Sequence, residues 1–169
     1  MFHPILTTHR LRLRALRSED APDVVRALND FEVSKWLTRE PFPYSVHDAN
    51  WFTRSVAAGA LVYGIEFQGR IVGTIGCEAE FGYWLGRDHW GQGLMPEAAD
   101  AVLAAWFGQG HDQIGAGYFA ENARSSHVLR KMGFAETGRS RSLSVARGEK
   151  VDRIDMILTR EAFEARNGN

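Results

Sequence analysis

Between Phe81 and Phe107 the sequence passes from strand to glycine turn to helix, and that passage restricts the fold more than any other feature. FGYWL at Phe81 to Leu85 is an apolar, aromatic-rich run of strand character. PEAADAVLAAWF at Pro96 to Phe107 is the strongest helix-forming stretch in the chain, closed by Gly108 and Gly110. GRDHWGQGLM joins the two, and Gly91 and Gly93 let the backbone turn where a Cβ would obstruct it. The first turn of the helix leaves N–H groups without intrahelical partners, at the positive end of its dipole. Together these features make a concavity suited to a pyrophosphate. A tight strand-to-helix turn without any ligand fits the same residues. The motif is not a P-loop, because GxxxxGK[ST] is absent, and Pro96 stands where a dinucleotide fingerprint needs its third glycine.

Around this switch the pattern predicts the order βααβββαβαββ. Arg10 to Leu13 alternates charged and apolar residues, which predicts a half-buried strand with Arg10, Arg12 and Arg14 on its outer face. Ser18 reads as a helix N-cap, followed by a helix over about Ala21 to Phe31. Pro41 to Tyr44, PFPY, marks a loop, and a second helical pattern starts at Ser45 and ends near Gly59. Leu61 to Phe67 and Ile71 to Ile75 form a hairpin about Gln68-Gly69. Ile114 to Phe119 is a strand, and Ala123 to Met132 a helix closed by Gly133. Phe134 onward and Val151 to Leu158 are two closing strands with an exposed Arg-rich connection. The expected class is α/β, one domain over residues 1–169, with a mixed sheet.

Composition excludes several classes. The chain has 169 residues, 44% hydrophobic and 24% charged, which is ordinary for a globular domain. Twenty basic residues face twenty-one acidic ones, a balance that argues against a nucleic-acid binder. Cys77 is the lone cysteine, so no intrachain disulfide or Cys-rich zinc site forms, and the six histidines show no metal spacing. No segment reads as a membrane helix or signal peptide, so a cytoplasmic location is expected. The expected assembly is a monomer or homodimer.

A second constellation lies at NARSSHVLRKMGF, Asn122 to Phe134, with Asn at a strand end and Ser125 three residues on. Asn122 as N-cap and Gly133 as C-cap account for the same letters. With TTHRLRLRALRSEDA at Thr7 to Ala21, the PFPY loop and FGYWLGRDHWGQGLMPEA at Phe81 to Ala98, it resembles the GNAT superfamily of acyl-CoA-dependent N-acetyltransferases. The likeness covers about Leu6 to Phe163 and is greatest to the Rim-type branch, which acetylates ribosomal-protein N-termini.

The resemblance implies acetyl-CoA as cosubstrate, no metal, and two splayed central strands in a sheet of about six or seven strands with about four helices. It places the pantetheine arm against the backbone of Trp84 and Leu85, and the pyrophosphate on Trp90, Gly91, Gln92, Gly93, Leu94 and Met95. Asn122 and Ser125 match the family's residues near the sulfur. The position where many relatives carry a tyrosine acid is Leu129, which leaves Ser125 as the catalytic acid by hydrogen bond or through water. Glu80 is the expected base, with Glu121 and a water chain as alternatives.

The acceptor is a primary amine, either a protein N-terminus or a small molecule, and a GNAT-fold module that only binds acyl-CoA is the competing reading. Trp36, Phe42, Tyr44 and Trp51 are expected to line the acceptor pocket. Cys77 reads as core, and Arg139, Arg141 and Arg147 as a solvated face.

Overall fold

A computed structural model describes residues 5–56 and 61–168. One sheet organises them. Its strands are β1 (Leu6–Thr7), β2 (Arg12–Arg14), β3 (Leu61–Phe67), β4 (Arg70–Cys77), β5 (Phe81–Leu85), β6 (Gln113–Phe119), β7 (Ala135–Ser144) and β8 (Glu149–Thr159). The helices are α1 (Ala21–Leu28), α2 (Phe31–Ser34), α3 (Val46–Val56), α4 (Leu94–Gly108), α5 (Ala123–Met132) and α6 (Arg160–Asn167). The strand order is β1-β2-β3-β4-β5-β6-β8-β7. Every neighbouring pair is antiparallel except β5 and β6. The α/β class and mixed sheet therefore stand, with one more strand and two more helices than the pattern predicts. β1 and α2 are too short to show a period, and the strand-to-helix change at Thr159 is marked by a side-chain cap to Ala162 N.

Two apolar clusters cover the sheet. The larger joins Leu94, Ala98, Val102, Leu103 and Phe107 of α4 to strand residues including Ile65, Ile75, Ala116 and Met156, and to Leu129, Met132 and Phe163. The smaller joins Val24 and Leu28 of α1 to Val33, Tyr44, Ala49 and Trp84. Trp84 and Leu85 are adjacent in β5 and fall in different clusters, as the alternation of a strand requires. Cys77 is core, and burial pushes its thiol up to about 12.

The β3–β4 turn is as expected: Gln68 and Gly69 both have positive φ, 50° and 80°, which suits a two-residue hairpin. Several boundaries differ. Ser18 is not a side-chain cap; Ser18–Asp20 is a short 3₁₀ turn leading into α1. The long helix expected to Phe31 breaks at Asn29, and α2 restarts from Asp30, whose side chain accepts from Glu32 N at 3.0 Å. The expected end of α3 near Gly59 lies outside the described residues.

The outer-face reading of the first strand fails at Arg14. Its guanidinium is buried, 2.8 and 2.9 Å from the two carboxylate oxygens of Asp20 and 2.5 Å from Glu66. Arg14 is thereby a pin between β2, the start of α1 and β3. Burial opposes ionisation of Asp20, but the Arg14 hydrogen bonds and the Arg17 N–H prevail and hold the carboxyl below its ordinary range.

A depressed folded-state value contributes stability above the unfolded value and loses it as pH falls through the folded one. Denaturant melts should therefore show this contribution at neutral pH and its loss below about pH 4. Asp20→Ala, which leaves the buried Arg14 charge with Glu66 as its one carboxylate partner, should cost about 3 kcal/mol at pH 7.

Candidate active site

β5 and β6 run parallel, yet pair at one position only, Phe81 with Ala116. β5 is fully paired to β4 from Phe81 to Leu85, and β6 to β8 from Gln113 to Phe119. Beyond Phe81 the two strands diverge, leaving the β6-facing edge of β5 without a strand partner. The divergence opens into a cavity of about 1440 Å³.

The glycine turn closes one end of this opening. Gly91 and Gly93 have φ of 71° and 74°, the left-handed region that favours glycine. Gly93 precedes α4 with no side-chain cap, so the first-turn N–H groups of a fifteen-residue helix remain available. Trp90 donates its indole N–H to Leu85 O at 2.7 Å, and the Arg124 guanidinium lies over its ring at 3.5 Å. Arg124 was not apparent as a site residue, because its contact crosses from α5 to the loop.

Arg10 braces the same loop. Its Nη1 donates to Gln92 O at 2.8 Å and its Nε to Glu97 Oε2 at 2.7 Å, while Thr8 also donates to Glu97. Arg10 is exposed, as expected, and also brackets the N-terminal segment to α4. Arg12 is exposed as well.

Trp84, Leu85, Trp90, Gly91, Gly93, Leu94, Met95, Asn122, Ser125 and Glu80 all line the cavity. Gln92 does not; its side chain turns back to Asp88 O at 3.0 Å. Glu121 is likewise outside the lining. Asn122 Oδ1 accepts from Ser125 N at 3.3 Å, so the N-cap reading of Asn122 holds beside its place in the cavity.

Leu129 is buried, and a phenol arrives from another element. Tyr83 Oη on β5 lies 2.8 Å from Ser125 Oγ on α5. Burial pushes the Tyr83 hydroxyl well above its ordinary value, with the Ser125 hydrogen bond acting against the shift, so it stays protonated. The clue in the sequence is that Tyr83 shares a strand face with Phe81, but nothing local links it to Ser125. Glu80 is engaged by Arg153, 2.6 Å away, whose Nε also lies 2.9 Å from Asp155. A Cβ on Gly117 would overlap that guanidinium, so the glycine leaves the space Arg153 occupies.

The other cavity wall comes from the segment between α1 and α3. Trp36, Tyr44 and Trp51 line it, but Phe42 does not and instead packs on Phe31 with centroids 5.4 Å apart. Arg147 also departs from expectation. It donates to Lys35 O at 2.8 Å and sits over Trp36 and Phe119, pinning the β7–β8 turn to α2. Arg139 and Arg141 remain exposed, near Glu136 and Asp152. Among the described residues, no group of three His, Cys, Asp or Glu side chains is placed to hold a metal, and no helix is long and apolar enough to cross a membrane.

Residues 10–135 match the family model described as Acetyltransferase (GNAT) domain. The chain belongs to the GNAT acetyltransferase family. It is 30% identical over 165 residues to the uncharacterized N-acetyltransferase YoaA of Bacillus subtilis, covering 88% of this chain and 93% of that protein. Among solved structures it superposes on Mycobacterium smegmatis RimJ in complex with CoA-disulfide, with a TM-score of 0.79 and 24% identity, covering 96% of this chain and 92% of that one. It also resembles the microcin C7 self-immunity acetyltransferase MccE in complex with acetyl-CoA and AMP, with a TM-score of 0.78 and 17% identity over 89% of this chain and 93% of that one. The Rim-type likeness read from the sequence thus has a structural counterpart, and the GNAT family is one of acyl-CoA-dependent acetyltransferases.

Arg10→Ala should free the Gly91–Met95 backbone while leaving the sheet intact. Hydrogen exchange of those amides is expected to quicken about tenfold, with the β4 amides unchanged.

Proposed function

We propose that residues 6–163 form one N-acetyltransferase unit that moves an acetyl group from acetyl-CoA to a primary amine by direct attack in a ternary complex. One observation carries the reading: the unpaired edge of β5, the Gly91–Gly93 turn and the Tyr83–Ser125 pair all border one cavity. An extended pantetheine arm would satisfy the free strand edge as a strand would, through the backbone at Trp84 and Leu85. Trp90 to Met95 would receive the pyrophosphate on backbone N–H groups, with Arg124 supplying positive charge beside it. Asn122 and Ser125 would meet the arm near its sulfur.

In the transfer, the amine nitrogen bonds to the thioester carbonyl carbon, a β5 N–H stabilises the oxyanion, and the C–S bond then breaks. Ser125 donates its proton to the departing thiolate as Tyr83 passes its own to Ser125 across the 2.8 Å contact, and solvent returns a proton to Tyr83, matching the one the amine gives up. Glu80, half-exposed and held by Arg153, takes up the amine's proton through water. The acceptor classes consistent with this chemistry are a protein N-terminus and a small amine. RimJ bears on the first only through the likeness of fold.

Gly93→Asp places a carboxylate where the pyrophosphate belongs, and calorimetry should find acetyl-CoA binding at least about tenfold weaker, a loss of about 1.4 kcal/mol. Unchanged affinity in the folded variant would assign the phosphate site elsewhere.

Ser125→Ala should lower kcat by about a hundredfold in a thiol-release assay, with little change in acetyl-CoA affinity. Tyr83→Phe should show a smaller loss of the same kind. Acetyl-CoA binding without thiol release from any amine would favour a module that only binds acyl-CoA.

A further inference from the structure

Four carboxylates line the cavity: Glu40, Asp48, Glu78 and Glu80. Three have side-chain partners. Asp48 accepts from Ser45 Oγ at 2.7 Å and from Ser45 N at 2.8 Å. Glu80 holds Arg153 at 2.6 Å, and Glu78 lies 3.9 Å from Arg39. Glu40, in the loop between α2 and α3, is met by backbone N–H groups, its own and that of Arg39 at 3.3 Å, and pairs with no side chain among the described residues.

Among the described residues no cationic side chain forms an ion pair with Glu40, which is partly buried in the cavity wall. Burial pushes its carboxyl above the ordinary range, against the backbone hydrogen bonds of Glu40 and Arg39 and the Arg39 charge. A partly buried carboxylate with no ion-pair partner carries a desolvation cost, and a cation arriving in the cavity relieves it. Tyr44, Trp51 and Phe52 on the same wall offer apolar surface, and Trp51 is exposed although large and aromatic.

We propose that Glu40 is the counter-ion for the acceptor's ammonium group, and that the cavity selects amines that enter as cations on an apolar or aromatic body. This rests on the acetyl-transfer reading and assigns its acceptor side. On entry the ammonium pairs with Glu40 while the body lies against Tyr44, Trp51 and Phe52, and it gives one proton to water before the free amine attacks. The other titratable or charged groups on the neighbouring wall are Arg39, Tyr44, His47, Asp48, Glu78 and Glu80.

The test uses the full chain saturated with acetyl-CoA, with binding read by calorimetry and turnover by thiol release. Phenethylamine and hexylamine, charged at neutral pH, are compared with 4-methylaniline, which is not. The charged amines should bind and the neutral one should bind more weakly. Glu40→Gln should weaken phenethylamine binding at least about tenfold, raising KM more than it lowers kcat, with acetyl-CoA affinity and 4-methylaniline binding unchanged. Glu40→Asp should recover part of the loss.

In the wild type, phenethylamine binding should fall as pH drops and Glu40 protonates, with an inflection above the usual glutamate value of about 4.3. That inflection should vanish in Glu40→Gln and persist in His47→Gln. Equal binding of charged and neutral amines, unchanged phenethylamine binding in Glu40→Gln, or an inflection that follows His47 overturns the assignment. So does failure of both charged amines to bind while acetyl-CoA does. Failure of acetyl-CoA itself to bind would instead overturn the acetyl-transfer reading beneath it.

Discussion

The single Phe81–Ala116 pairing between β5 and β6 is the constraint on which the rest of the site depends. A sheet normally satisfies both edges of an internal strand, and here two internal strands separate after one step. They hold their positions because each is tied along its whole length on the opposite side, β5 to β4 and β6 to β8. The Glu80–Arg153 pair crosses near the closed end, where Gly117 leaves room for the guanidinium. At the open end, Trp90 caps the Leu85 carbonyl. The gap is thus a fixed part of the architecture, with its backbone donors and acceptors presented in advance.

The two sheet faces divide the labour. The large cluster includes Leu94 and Met95 at the start of α4, so the glycine turn rests on its core. The small cluster beneath α1 and α3 supports the cavity wall from the segment between them, to which Arg147 ties the β7–β8 turn. Tyr83 and Ser125 meet between these regions, drawn from a strand and a helix on either side of the gap.

What the sequence revealed follows from what is local. The Gly-x-Gly turn, the Asn122 cap, the Gln68-Gly69 hairpin and the bounds of β5 and α5 depend on neighbours a few residues apart, and all were readable. Arg14 was misread because alternation puts it on the face it shares with Arg12 but does not show that Asp20 covers that face at this end, with Glu66 beside it. Arg147 was misread for the same reason, since Trp36 and Phe119 reach it only in the folded chain. The Tyr83–Ser125 contact spans 42 residues of sequence, and no periodicity announces it. Glu40 is conspicuous only once the partners of the other cavity acids are known.

The stretch from Thr8 to Arg14 fastens to α4 at one end and to α1 and β3 at the other, through Glu97, Asp20 and Glu66. Between those anchors Leu11 and Leu13 are buried in the large cluster. Its length is therefore a gauge. Removing or adding one residue between Arg10 and Arg14 would invert the alternation of the strand, setting a leucine in water or a guanidinium in the core. Either end could be satisfied only by abandoning the other, so this seven-residue span tolerates substitution far better than a change in count.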